Sequence, residues 1–352
     1  MKLGLSIGYS GAELKLPVEK VQLAEKLGFD SVWTAEAYGS DAITPLAYLA
    51  AVTKRIRLGT GIMQLAARPP VTAAMAAGTV DALAGGGRVI AGLGVSGPQI
   101  VEGWYGQPWG APYWRLRDYI QIMRKIFERE APVEHQGREL SLPYTGEGAI
   151  GLGKPLRSIL HTNPRLPIWL GSGSEATVKL TAELCDGWLP MHFVPGRMDH
   201  YRPWVEEGFR RAGGDKGWEN FEIQVGAAVV LTDDRADAVE AALQRQKMGI
   251  ALYVGGMGHS TMNFHNQHMT EQGYGDAAAR IQELFLEGRK EEAAATVPDE
   301  YVDERALVGP ASRIKARFRD WADSGLTGLT INTHAPAVLE LMADVAKLRA
   351  PA

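Results

Sequence analysis

Two glycine-rich segments and two carboxylates are the residues of this 352-residue chain whose types and spacing best suit chemistry. Gly171-Ser172-Gly173-Ser174 follows a short β-rich run, Pro167-Ile168-Trp169-Leu170, and leads directly into a helical pattern from Glu175. Free N–H groups at a helix start, the positive end of its dipole and two hydroxyls can hold a phosphate without a lysine. The competing reading is a plain N-cap by Ser174, with Thr177 and Lys179 on the helix surface. Gly92-Leu93-Gly94-Val95-Ser96-Gly97 spells the dinucleotide fingerprint, but Pro98 and the run Gly103–Trp109 delay the helix that the fingerprint requires. A glycine loop that lets a ligand approach the backbone is therefore expected in place of an NAD site.

Glu36, in Thr34-Ala35-Glu36-Ala37-Tyr38-Gly39, and Glu13 both follow β-rich runs. Each would offer a carboxylate at the mouth of a barrel, or would simply be a surface glutamate. His259, His265 and His268 match no strong zinc or di-iron spacing, so they are expected to line a substrate-covering segment and not a metal site. Trp104, Tyr105, Trp109, Tyr113 and Trp114 suit either a stacking platform or the anchor of a long loop.

The elements that must position these residues alternate. Leu3–Ile7, Ser31–Thr34, Ile56–Ile62, Arg88–Leu93, Pro167–Leu170, Asp186–Pro190, Glu222–Leu231 and Gly328–Asn332 read as strands, with helical patterns between them. Eight parallel strands predict an α/β fold, a (β/α)8 TIM-type barrel, as one domain over 1–352 with insertions at about 131–166 and 253–305. A hairpin is expected near Gln136-Gly137. Without the insertions about 263 residues remain, near the roughly 250 typical of the fold. Its chemistry belongs on the loops after the strand C-termini, where both glycine segments and both glutamates fall.

Composition narrows the function classes. With 37 basic and 41 acidic residues the net charge is −4, which speaks against nucleic acid or an anionic membrane as partner. Cys185 is the only cysteine, so no intrachain disulfide or cysteine-built zinc site is possible. No apolar run is long enough to span a bilayer, and the first residues read as a strand, so a cytoplasmic protein is expected.

Leu27-Gly28-Phe29-Asp30-Ser31-Val32-Trp33, Arg57-Leu58-Gly59-Thr60-Gly61-Ile62, Gly92-Leu93-Gly94 and the stretch Pro167–Pro190 resemble the bacterial luciferase-like family. Within it the chain is more similar to the reductases and dehydrogenases that use the 8-hydroxy-5-deazaflavin coenzyme F-420. The resemblance implies a homodimer of TIM-like barrels, with hydride passing between C5 of a ring in the barrel mouth and a small organic substrate. It also implies a non-prolyl cis bond at Gly61-Ile62, whose two residues support the cofactor ring. The family's cofactor contacts fall on Glu36, Gln64, Gly94, Val95 and Ser96, with Gly171, Ser172, Gly173 and Ser174 for the phosphate and His192 where its tail would continue. An Asp-His pair of the sugar-phosphate dehydrogenases reads Glu36-Ala37 here, and their later glutamate reads Gly97, so a glucose-6-phosphate-type substrate is not expected. Glu13 matches a further active-site acid and is the remaining candidate for proton handling. An FMN-dependent monooxygenase and a barrel that only binds a ligand are the alternatives.

Overall fold

In the computed structural model, which describes residues 1–258, 262–333 and 335–348, eight strands close into a barrel. They are β1 (Lys2–Gly8), β2 (Ser31–Thr34), β3 (Arg57–Thr60), β4 (Val89–Gly94), β5 (Ile168–Ser172), β6 (Gly187–Pro190), β7 (Glu222–Leu231) and β8 (Gly328–Asn332). Each pairs in parallel with its sequence neighbours, and β8 returns to β1 through Lys2↔Gly328 and Leu3↔Leu329. Short connections and right-handed βα units make this sequential order the natural one.

Size matching fills the barrel interior. Trp33 and Trp169 meet at 5.2 Å between ring centroids, and glycines stand opposite them, because a Cβ at Gly59 or Gly187 would overlap an indole ring. The Trp33 indole N–H donates to Ser31 Oγ at 2.9 Å, and the Gln224 amide donates to Thr330 Oγ1 at 2.8 Å. The first bond stays within β2, and the second joins β7 to β8 inside the barrel. At the bottom, the Arg57 guanidinium bridges Asp30 (2.5 Å) and Glu222 (2.8 Å), tying β2, β3 and β7 together.

The two insertions differ in kind. The first carries the expected hairpin, His135–Gln136 against Ser141–Leu142. The second, expected to be irregular, is mostly helical: Phe264–Met269, Gly275–Leu286, Lys290–Thr296 and Asp299–Glu304, followed by a strand, Ala306–Gly309, on the end of β7. These helices pack with Ala236–Ala251 around their own apolar cluster, which includes Val254, Met269, Ile281, Leu284 and Tyr301. Most are too short to show a helical period, and they are stabilised by burying one another. No helix among the described residues is long and apolar enough to cross a membrane.

Candidate functional site

A cleft of about 730 Å³ opens over the C-terminal ends of β4, β5 and β6. Its floor is Gly171–Ser174 and its walls are Val95–Gly97 on one side and Met191, Arg197 and His200 on the other. The second insertion supplies the roof with Phe264, His265 and His268. The roof is tied down at both edges: the Gln99 amide donates to the Met257 carbonyl at 2.7 Å, and the Gln272 amide donates to the His192 carbonyl at 2.8 Å.

Glycines shape the approach to this cleft. The Gly61-Ile62 bond is cis, and the half-buried Ile62 side chain lies between the ends of β4 and β5. A Cβ at Gly94 would come within 2.7 Å of Ile62 Cδ1, and one at Gly171 within 3.0 Å of its Cγ2. A Cβ at Gly92 would overlap the Thr60 carbonyl oxygen, so that glycine serves the packing of β3 against β4. The fingerprint spacing therefore has a barrel-packing cause. After Gly94 a single helical turn, Pro98–Val101, replaces the long helix of a dinucleotide site.

Ser174 caps the helix Glu175–Leu184, its hydroxyl pairing with Thr177 Oγ1 at 2.8 Å. The Ser172 hydroxyl turns away from the cleft to Thr181 Oγ1, also at 2.8 Å. Of the two hydroxyls expected at a phosphate, one is thus committed inside the fold and the other already caps. The N–H groups of the first helical turn, which lack intrahelical partners, remain the natural anion donors.

Glu36 is buried, and its carboxylate is fully engaged. It accepts the Gln64 backbone N–H at 2.9 Å and a two-pronged contact from Arg68 at 2.5 and 3.1 Å. The Gln64 amide returns a bond to the Glu36 carbonyl at 2.8 Å. Such a bidentate pair fixes geometry as well as charge. Glu36 therefore braces the segment that follows the cis bond, where the sequence suggested a carboxylate facing a ligand. Burial opposes the Arg68 charge, but Glu36 and its hydrogen bonds hold the guanidinium above its usual range. Glu13 stands apart from the cleft: its side chain is 74% exposed and pairs with Lys15. An acid so hydrated has no water-excluded site in which to move a proton.

His192 also departs from its expected place. With φ at 53° its ring enters the second insertion, where Nε2 lies 2.6 Å from His265 Nδ1, and it lines a separate cavity of about 230 Å³. His268 is the third member, 5.7 Å from His192 between ring centroids. Burial first, then neighbouring positive groups, push His192 well below the usual imidazole value, and His265 down to about 4 by burial and His268. His259 lies outside the described residues. Among those described, no three His, Cys, Asp or Glu side chains are grouped to hold a metal.

A stability prediction follows from His265. The folded state refuses a proton that the unfolded chain accepts below about pH 6.5, so stability falls as pH drops from 6.5 to about 4 and then levels off. The loss attributable to this group is about 3 kcal/mol, from roughly 1.4 kcal/mol per pH unit. Urea unfolding at pH 7 and pH 5 should resolve it, and His265→Gln should flatten part of the slope. An identical slope in the variant would refute the assignment.

Sequence reasoning missed Arg197 and Arg68. The signal for Arg197 was present: it immediately precedes the helix Met198–Ala212, an end where a cation is disfavoured. Cys185 is fully buried, and burial pushes its thiol up to about 12, so it is no nucleophile.

Residues 3–328 match the family model described as luciferase-like monooxygenase. The chain is 46% identical over 350 residues, 99% of each chain, to a Mycobacterium tuberculosis protein whose name proposes a coenzyme F-420-dependent oxidoreductase. Its fold is similar to that of the coenzyme F-420-dependent tetrahydromethanopterin reductase of Methanopyrus kandleri, with a TM-score of 0.77 and 19% identity over 99% of both chains. An F-420-dependent secondary alcohol dehydrogenase solved with an F-420–acetone adduct shares the fold at a TM-score of 0.72 and 18% identity, again over 99% of both chains.

Proposed function

The chain belongs to the luciferase-like monooxygenase family, and on that premise we propose that it is an oxidoreductase dependent on the deazaflavin coenzyme F-420, acting on a small organic substrate. The observation that carries this reading is the cleft at the strand C-termini, whose lining joins Gly171 and the Gly173-Ser174 helix start to Val95, Ser96 and Gly97.

The residues fit such a cofactor. Gly94 and Gly171 leave room for the Ile62 side chain at the strand ends, the first N–H groups of Glu175–Leu184 suit a phosphate, and Arg197 carries a buried Nε–H without a partner beside it. When bound, a deazaflavin of this kind exchanges a hydride at C5 with the substrate. The chain's own part is to orient and to exclude water. The Glu36–Arg68 pair holds Gln64 and the segment before it in place, and Gln99 and Gln272 keep the insertion over the cleft. The strand ends and the insertion roof together would hold the substrate beside the ring.

Titrating the purified protein with F-420 and with FMN, followed by absorbance and fluorescence, tests the reading. Saturable F-420 binding with no FMN binding is the expected result. FMN binding alone would move the protein to the monooxygenases, and binding of neither would leave a barrel that serves another ligand.

A further inference from the structure

Two helices begin at the walls of the cleft, one after Ser174 and one after Arg197. The second begins unfavourably. Arg197 is a cation at the positive end of a helix dipole, and its Nε is buried with no hydrogen-bond partner. Across the cleft, His268 of the insertion presses on the floor. A Cβ at Gly173 would overlap its Nε2, while its Nδ1 lies 3.6 Å from Glu271. Of the two acids that line this end, Glu175 pairs with Lys179, and the exposed Glu271 lies beside the far nitrogen of His268, leaving Nε2 toward the floor. Two helix starts, a guanidinium whose buried Nε–H has no partner and an imidazole nitrogen that can take a proton thus line the cleft, and together they suit an anion.

We propose that His268 and Arg197 are the side-chain ligands of the anion seated at the Gly173-Ser174 helix start, so that the cofactor's phosphate draws the 264–271 segment onto the barrel. The inference rests on the F-420 reading above and assigns to the second insertion a binding role besides that of a cover. One consequence concerns protons. Burial holds His268 below the usual imidazole value, with Arg197, Arg305 and His200 adding to this and Glu271 opposing it. His192 and His265 also adjoin the ring and bring no negative charge. An anion against Nε2 favours the imidazolium, so binding takes up a proton and tightens as pH falls through the imidazole range.

The test uses the full chain and two probes, F-420 and its phosphate-free 8-hydroxy-5-deazaflavin analogue, titrated by fluorescence. His268→Gln and Arg197→Gln should each weaken F-420 binding by about tenfold, as expected for the loss of one charge-assisted hydrogen bond, and leave the phosphate-free analogue unchanged. Wild-type affinity for F-420 should rise from about pH 8 to pH 6 and stay flat in His268→Gln. Hydrogen exchange in 264–271 should slow on adding F-420 to the wild type but not to that variant. Equal weakening of both probes, or none, would overturn the proposal while leaving the F-420 reading intact. A wild-type protein that binds no F-420 would overturn both.

Discussion

Glu36→Ala is expected to lower the free energy of unfolding by about 3 kcal/mol, because it strands the Arg68 guanidinium and the Gln64 N–H in a buried site. Removing one partner of a buried pair costs more than the pair itself contributes, since desolvation of the survivor is no longer offset. The double variant Glu36→Ala/Arg68→Ala should therefore recover part of the loss, which a double-mutant cycle by urea unfolding would read directly. F-420 binding should weaken as well, because Glu36 holds the segment that carries Ile62. A single variant as stable as the wild type would show that the carboxylate braces nothing.

Gly92→Ala should be the most damaging one-methyl change in the chain. The added Cβ would overlap the backbone oxygen of Thr60, and backbone in the middle of a closed barrel cannot swing aside as a side-chain tip can. A cost of about 3 kcal/mol or more, or failure to accumulate as soluble protein, is expected. Gly97→Ala is the control. There the nearest atoms to the new methyl belong to the side-chain amide of Gln99, a flexible tip whose exposed bond to Met257 can give way, so the urea midpoint should fall far less than in Gly92→Ala. Equal losses at the two positions would mean that the glycines share a role, as the dinucleotide fingerprint would have it.

Much of this architecture is legible in the chain. β2, β7 and β8 run over the residues that their β-rich patterns mark, because buried parallel strands are continuous apolar runs bounded by turn residues. The helix after Gly171–Ser174 begins at the cap its serine announces. Less legible were the helices of 253–305, whose cluster around Ile281 and Leu284 forms only when several short segments meet. Glu13, Glu36 and His192 were legible as residues at the right ends of strands, but their partners were not. Glu13 lies in solvent beside Lys15, Arg68 encloses Glu36, and His192 sits against His265 of the insertion.

The two glycine segments and two glutamates that first suggested chemistry end with divided roles. By itself the sequence determined the barrel, the loops that bear its site and the helix start suited to an anion, since each follows from period, capping and β-propensity within a few neighbouring residues. Tertiary structure alone decided which polar groups remain available there. Pairing across distant elements consumes the carboxylate of Glu36 and the hydroxyl of Ser172, and it leaves Arg197 and His268 facing the cleft. Charge and hydrogen-bond capacity are spent wherever the fold brings partners within about 3 Å, and no local pattern records that distance.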